Sequence, residues 1–155
     1  MAQDIKKIIA QEYLKCAKDP AYFMKKYCYI QHPTRGRILF HLYPFQEKVL
    51  HLYKDHQYII TLKSRQLGIS TLASAYSLWL MLFHKDKNVL ALATTQATAR
   101  NLVTKVIFMY DQLPKWLRLQ AVEKNKLSLR LKNGSKVQAK SSNADAARSE
   151  AVSLL

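Results

Sequence analysis

Acidic residues are scarce in this sequence: 10 Asp and Glu stand against 25 Lys and Arg, for a formal net charge of +15 over 155 residues. So lopsided a balance excludes a binder of polycations and makes polyanions the standing partners, nucleic acid first among them. Glycine and proline are also few, at 3 and 4, which excludes a fibrous repeat or a disordered low-complexity chain. Cysteine occurs only as Cys16 and Cys28; with no CxxC pair there is no disulfide framework to read, as suits a reducing compartment. The histidines, His32, His41, His51, His56 and His84, fall in no HExxH or other ligand spacing, so no resident metal site is expected from them. The longest apolar stretch, around residues 78–83, is far too short to span a bilayer. The start, MAQDIKKIIAQEYLK, lacks the uninterrupted apolar core of a signal peptide. Basic residues are spread along the chain rather than lined on one amphipathic helix, which argues against a membrane surface. An intracellular, soluble protein with no membrane partner is the expectation.

What is present is ordinary globular material, 49% hydrophobic and 23% charged, enough for one modest core. Ile5, Ile8, Ile9, Tyr13 and Leu14 recur at helical spacing and predict an amphipathic helix over about residues 3–17. Asp19-Pro20 caps a second, short helix with Tyr22, Phe23 and Tyr27 on its apolar face. Residues 33–36 mark a turn, residues 37–42 a strand, and Pro44 opens a helix through about Tyr53. Beyond it the rhythm becomes strand, loop, helix, strand, helix. Residues 58–62, β-branched and apolar, predict a strand buried on both faces. Residues 70–83 predict a buried helix and residues 89–93 a second buried strand. Residues 96–110 predict a helix with Ala99, Leu102, Val103, Val106 and Ile107 as its stripe. Residues 127–131 and 136–139 pair as a hairpin across Asn133-Gly134, and residues 141–149 read as a polar loop. Residues 152–155 begin a further apolar run, the start of a strand, which suggests a truncated chain. The fold class expected is α/β, a partial parallel sheet of the P-loop (RecA-like) kind flanked by helices. Residues 1–42 form a small helical leading region and residues 43–155 an incomplete core of that kind.

A phosphate-binding loop needs inward-facing backbone N–H groups, a helix N-terminus behind them, a mobile cation, and a hydroxyl for Mg²⁺. The stretch Lys63-Ser64-Arg65-Gln66-Leu67-Gly68-Ile69-Ser70-Thr71 lies where such a loop belongs, between the predicted strand and helix. Gly68 stands at the second glycine of GxxxxGK[ST] and Ser70 at its hydroxyl. Ile69 occupies the lysine position, and Lys63 that of the first glycine. A loop that wraps phosphates brings its first residues near its last, so Lys63 on its flexible stem reaches the β- and γ-phosphates from the other side. Arg65 adds a second cation toward the γ-phosphoryl.

KSRQLGIST resembles the ATP site of tailed-phage terminase large subunits, the motors that package viral DNA, some of which carry the lysine at the start of the loop. The segment LYPFQEKVL at residues 42–50 is similar to that family's adenine-contacting segment, and residues 19–46 to its leading region. ALATTQATARNLVTKV resembles its second strand and helix, and LKNGSKVQAKSSNADAARSE its later hairpin and Ser/Arg loop. The resemblance spans nearly the whole chain. It implies that Gln46 selects adenine with Phe45 packed nearby, and that Lys63 is the phosphate lysine. Arg65 would be a cis-acting arginine. Ser64, Gln66, Leu67, Gly68 and Ile69 would line the phosphates, and Ser70 would hold Mg²⁺ with Thr71 beside it. Arg148 would couple the site to DNA or to a neighbouring subunit.

The implied cofactors are ATP and Mg²⁺. The implied partners are double-stranded DNA, a portal protein, a small terminase subunit and further copies of the chain, working in the host cytoplasm and transiently at the procapsid portal. Two features of the family are missing from this sequence. No apolar run ends in Asp-Glu, so the aspartate for Mg²⁺ and the glutamate that orients water are lacking, and the nuclease domain is absent. The chain alone is therefore expected to bind nucleotide weakly and hydrolyse it hardly at all. Two other readings stand beside this one: a basic nucleic-acid-binding module with a non-hydrolysing nucleotide site, and a helicase-type RecA-like ATPase.

Overall fold

Asp19 divides the first two helices, α1 (Ala2–Lys18) and α2 (Pro20–Tyr27). Its backbone is extended, and its Oδ1 accepts a hydrogen bond from the Ala21 N–H at 2.8 Å. Pro20, in the first turn, has no N–H to leave unsatisfied. The structure, a computed structural model, describes residues 2–142 and 151–154.

One carboxylate ties the two helices together: Glu12 Oε1 accepts from Tyr22 Oη at 2.8 Å, Tyr27 Oη at 2.8 Å and Lys26 Nζ at 2.6 Å. The Lys26 hydrogen bond, then those of the two tyrosines, hold the Glu12 carboxyl down at about 2. Deeper along α1, Cys16 is buried and its carbonyl accepts from Trp79 Nε1 at 2.8 Å. The outer apolar positions Ile5, Ile8 and Leu14 stay exposed.

A hairpin of β1 (Tyr29–His32) and β2 (Gly36–Leu39) follows, antiparallel with Tyr29 opposite Leu39. His32 Nδ1 organises its turn by accepting from the Thr34 and Arg35 N–H groups, each at 3.2 Å. The sequence reading had a strand in the second arm only; the first arm, with a single apolar Ile30, carries too weak an alternation to be seen. Next comes α3 (Pro44–Asp55), opened by its proline as expected.

Residues 58–62 correct the sequence reading. They form no strand, and Tyr58, Ile60 and Leu62 are exposed, the last two completely. A strand buried on both faces needs ladder partners on both edges, and no strand among the described residues lies beside this one.

The core is organised around α4 (Ile69–Phe83), in which Leu72, Ala75, Leu78, Met81 and Leu82 are all buried. Its serines serve close packing: Ser74 and Ser77 turn their hydroxyls back to the carbonyls of Ser70 and Ala73, each at 2.8 Å. Beyond it lie β3 (Asn88–Ala93), α5 (Gln96–Asp111), β4 (Ala121–Lys124), β5 (Ser128–Leu131) and β6 (Lys136–Ser141). Thr95 caps α5 by accepting from the Thr98 N–H, and Ala99, Val103 and Val106 of the expected stripe are fully packed.

The sheet runs β3-β6-β5-β4. Only β3 and β6 are parallel, with Val89 opposite Val137; β5 is antiparallel to both β6 and β4. It is thus a mixed sheet where a parallel one was expected. The difference lies in the expected hairpin, whose arm β5 joins the same sheet antiparallel to β6 and carries β4 beyond it; the sequence reading missed β4 because its residues, AVEK, are mostly exposed. The hairpin at Asn133-Gly134 forms as read. Gly134 has φ +85°, and a Cβ there would run into Asp86 Oδ1, so glycine is strongly favoured at this turn. On the other edge of β3, Leu154 forms a parallel bridge with Val89 and accepts from the Leu90 N–H at 2.8 Å. Of the expected strand start, Leu154 alone makes this isolated bridge, and residues 151–153 form no strand. Arg148 and most of the expected polar loop lie outside the described residues. Among the described residues no helix is long and apolar enough to cross a membrane.

Candidate functional site

The site assembles where α3 begins and α4 begins. Gln46, at the third position of α3, is 1% exposed. Its Oε1 accepts from the Tyr43 N–H at 3.0 Å, and its Nε2 donates to the Leu67 carbonyl at 3.1 Å. A buried amide thereby satisfies an otherwise orphaned donor at one helix start and pins a loop 21 residues further on. Phe45, half-exposed, stacks on exposed Tyr43 with ring centroids 5.7 Å apart and planes 7° from parallel. An aromatic platform open to solvent therefore flanks the buried glutamine.

The pinned loop has an unusual backbone. Gln66 has φ +63° and Gly68 φ +70°, with Leu67 on the ordinary side between them. Alternation of this kind turns successive N–H groups toward one point, as in anion-binding nests. A non-glycine residue at positive φ is uncommon, and strain of this sort gathers at functional sites. Gly68 is required twice over, once by its φ and once because a Cβ there would meet Gln46 Nε2 at 2.7 Å. It is the N-cap of α4, so no side chain caps that helix, and no acidic residue stands in its first turn. The positive end of the α4 dipole and the amides of Ile69, Ser70 and Thr71 are left facing the loop.

The loop carries two cations, Lys63 and Arg65. Lys63 is exposed and its Nζ donates to the Ser64 carbonyl at 3.2 Å, so its stem is folded back along the loop. Ser64, Arg65, Gln66 and Leu67 are exposed; Ser70 is exposed with its hydroxyl at the first turn of α4, and Thr71 is half-buried.

Thr71 reveals a residue the sequence reading missed. Lys105 Nζ of α5 donates to Thr71 Oγ1 at 3.4 Å. Lys105 keeps much of its surface in solvent, yet packing of α5 on α4 partly desolvates its ammonium and holds its pKa below the ordinary lysine value. Nothing in the sequence singles it out, since it lies off the apolar stripe of α5 and 34 residues from Thr71. A separate open cleft of about 470 Å³ lies at the other end of α5, among Tyr110, Asp111, Lys115 and Arg118. Beside it Lys124 is already neutralised by Asp111 at 2.6 Å.

Chemically, the loop combines an uncapped helix start, a nest-like backbone, exposed cations and a hydroxyl, with no carboxylate in the adjoining helical turn. That donor set fits a polyphosphate, with Ser70 available to a divalent ion that the polyphosphate brings. Among the described residues no group of three His, Cys, Asp or Glu gathers to hold a metal alone.

No family model matches the sequence. Among solved structures, the large terminase of bacteriophage HK97 superposes with a TM-score of 0.64 at 18% sequence identity, covering 83% of this chain and 28% of that one. The chain thus spans little more than a quarter of the length of that protein. The mixed sheet and its helices have the fold found in a phage large terminase.

Proposed function

We propose that this chain is the ATP-binding part of a terminase large subunit, the motor that moves viral DNA into a procapsid. The observation that carries the reading is the loop at residues 63–71, held by a buried glutamine against an uncapped helix start with cations and no acid beside it. In this reading Gln46, which holds the loop, selects adenine, with Phe45 packed nearby. Lys63 neutralises the β- and γ-phosphates, and Arg65 meets charge developing on the γ-phosphoryl. Ser64, Gln66, Leu67, Gly68 and Ile69 line the phosphates. The Ser70 hydroxyl takes Mg²⁺ with Thr71 adjoining, and Arg148 couples nucleotide state to DNA or a second copy. Magnesium bound there would neutralise phosphate charge.

The sequence has no Asp-Glu at the end of an apolar run, so this reading expects nucleotide binding with hardly any hydrolysis. In a whole motor, duplex DNA would be gripped through its backbone regardless of sequence, with portal protein and small terminase subunit as further partners.

Calorimetric titration of the purified 155-residue chain with MgATP tests this. Measurable binding is expected, weakened about tenfold or more by Lys63→Met, with hydrolysis near background. Absence of binding, or steady multiple turnover, would overturn the reading. The net charge of +15 favours a second reading, a nucleic-acid-binding module with an idle nucleotide site. DNA binding that falls steeply with salt and ignores ATP would select it.

A further inference from the structure

We infer that Lys105 is a third phosphate-binding cation of this site, delivered from α5 to the first turn of α4; the inference rests on the loop at residues 63–71 being an anion site. The argument begins with what Lys105 lacks. The residues one helical turn away on its own helix are Asn101, Leu102, Phe108 and Met109, none of them acidic. The facing helix α4, ISTLASAYSLWLMLF, contains no carboxylate at all. The one acid of α5, Asp111, is engaged by Lys124 through both carboxylate oxygens, at 2.6 and 2.7 Å. A surface lysine normally finds either full solvent or an acid; this one is laid on a neighbouring helix with a long bond to a threonine hydroxyl as its contact.

Its position is also electrostatically wrong for a chain without ligand. Cations belong near helix C-termini, and this one points at residue Thr71 in the first turn of α4, at the positive end of the dipole. No acidic residue in that turn offsets it. Lys63 and Arg65 lie, exposed, in the loop that leads into the same helix start. An anion of several charges, spread over more than one phosphate, is the ligand that turns the repulsion between Lys105 and this helix end into attraction. Lys63 and Arg65 come from the loop and can move with it, whereas Lys105 is fixed by a packed helix. It is therefore the cation that holds the anion against α4 whatever the loop does.

The test compares Lys105→Gln, Lys105→Arg and Lys115→Gln, the last being an equal loss of charge at an exposed site near the far end of α5. Binding of MgATP and, separately, of inorganic tripolyphosphate is measured by calorimetry for the wild-type chain and each variant. Lys105→Gln should weaken both ligands about tenfold, the size of one charge-assisted hydrogen bond at a partly hydrated site. Lys105→Arg should stay within about threefold of wild type and Lys115→Gln should leave both affinities unchanged. Equal affinities for wild type and Lys105→Gln would overturn the inference while leaving the nucleotide reading intact. Tripolyphosphate binding that needs Lys105, with no MgATP binding, would sustain the inference and overturn the nucleotide reading. Binding of neither ligand by the wild-type chain overturns both. Should Lys105→Gln fail to fold, a wild-type-like melt with weakened binding in Lys105→Met supports the inference, and unaltered binding there defeats it.

Discussion

Two five-residue apolar runs in this chain meet opposite fates. Residues 89–93 form most of β3, paired with β6 on one edge and bridged by Leu154 on the other, and Val89 and Leu90 are fully buried. Residues 58–62 are as apolar and more β-branched, yet Tyr58, Ile60 and Leu62 lie in solvent without a ladder. The difference is not in propensity. A strand is completed by its neighbours, through backbone hydrogen bonds and cross-strand packing that the segment itself cannot supply. Composition states that a run is compatible with burial, and partners decide whether burial happens.

The widest gap between the two runs should appear in stability. Leu90→Ala empties a site 1% exposed and should cost about 2–4 kcal/mol in urea unfolding. Ile60→Ala, at a fully exposed position, should stay within about 0.5 kcal/mol. A cost above about 2 kcal/mol for Ile60→Ala would mean that the exposed run is packed in solution, and the contrast would collapse.

A smaller effect tests the loop that follows the exposed run. Gly68→Ala places a Cβ at φ +70° and 2.7 Å from Gln46 Nε2, so it should lower stability by about 1–2 kcal/mol. It should also weaken nucleotide binding, because the loop is released from α3. A fully stable Gly68→Ala variant with unchanged MgATP affinity would show that the pinned loop is no more specified than the run before it.

The smallest effect concerns pH and lies away from both runs. The Glu12 carboxyl is depressed from 4.5 to about 2 by Lys26 and the two tyrosines. Its contribution is therefore complete above about pH 4.5 and is lost as pH falls toward about 2. Glu12→Gln should flatten the acid limb of the melting temperature over that window and lower the values above it, through pH 7, toward the level of the acid limb. An unchanged acid limb would show that Glu12 does not bind α1 to α2.

Much of the fold was legible beforehand where local chemistry was sufficient. Asp19-Pro20, Pro44 and Asn133-Gly134 announce helix starts and a hairpin through capping and turn geometry that a few consecutive residues dictate. The stripe of α5 and the apolar breadth of α4 announce burial by period. The candidate site was legible in part: Lys63, Arg65, Gly68 and Ser70 could be named from spacing, and the structure has Gly68 and Ser70 at the start of α4 with Lys63 and Arg65 exposed in the loop before it. Gln46 could be named too, though not its bond to Leu67. Lys105 was invisible because no spacing relates it to Thr71. β1 and β4 escaped because short, mostly polar strands carry little periodic signal.

The sequence by itself determined the charge, the caps, the turns and the apolar faces, all properties of residues within a turn or two of each other. Tertiary structure alone decided which apolar run became a strand, that the sheet is mixed, and that a lysine of α5 meets the start of α4. Those outcomes depend on groups far apart along the chain, whose hydrogen bonds and fields act only once folding has brought them within a few ångströms.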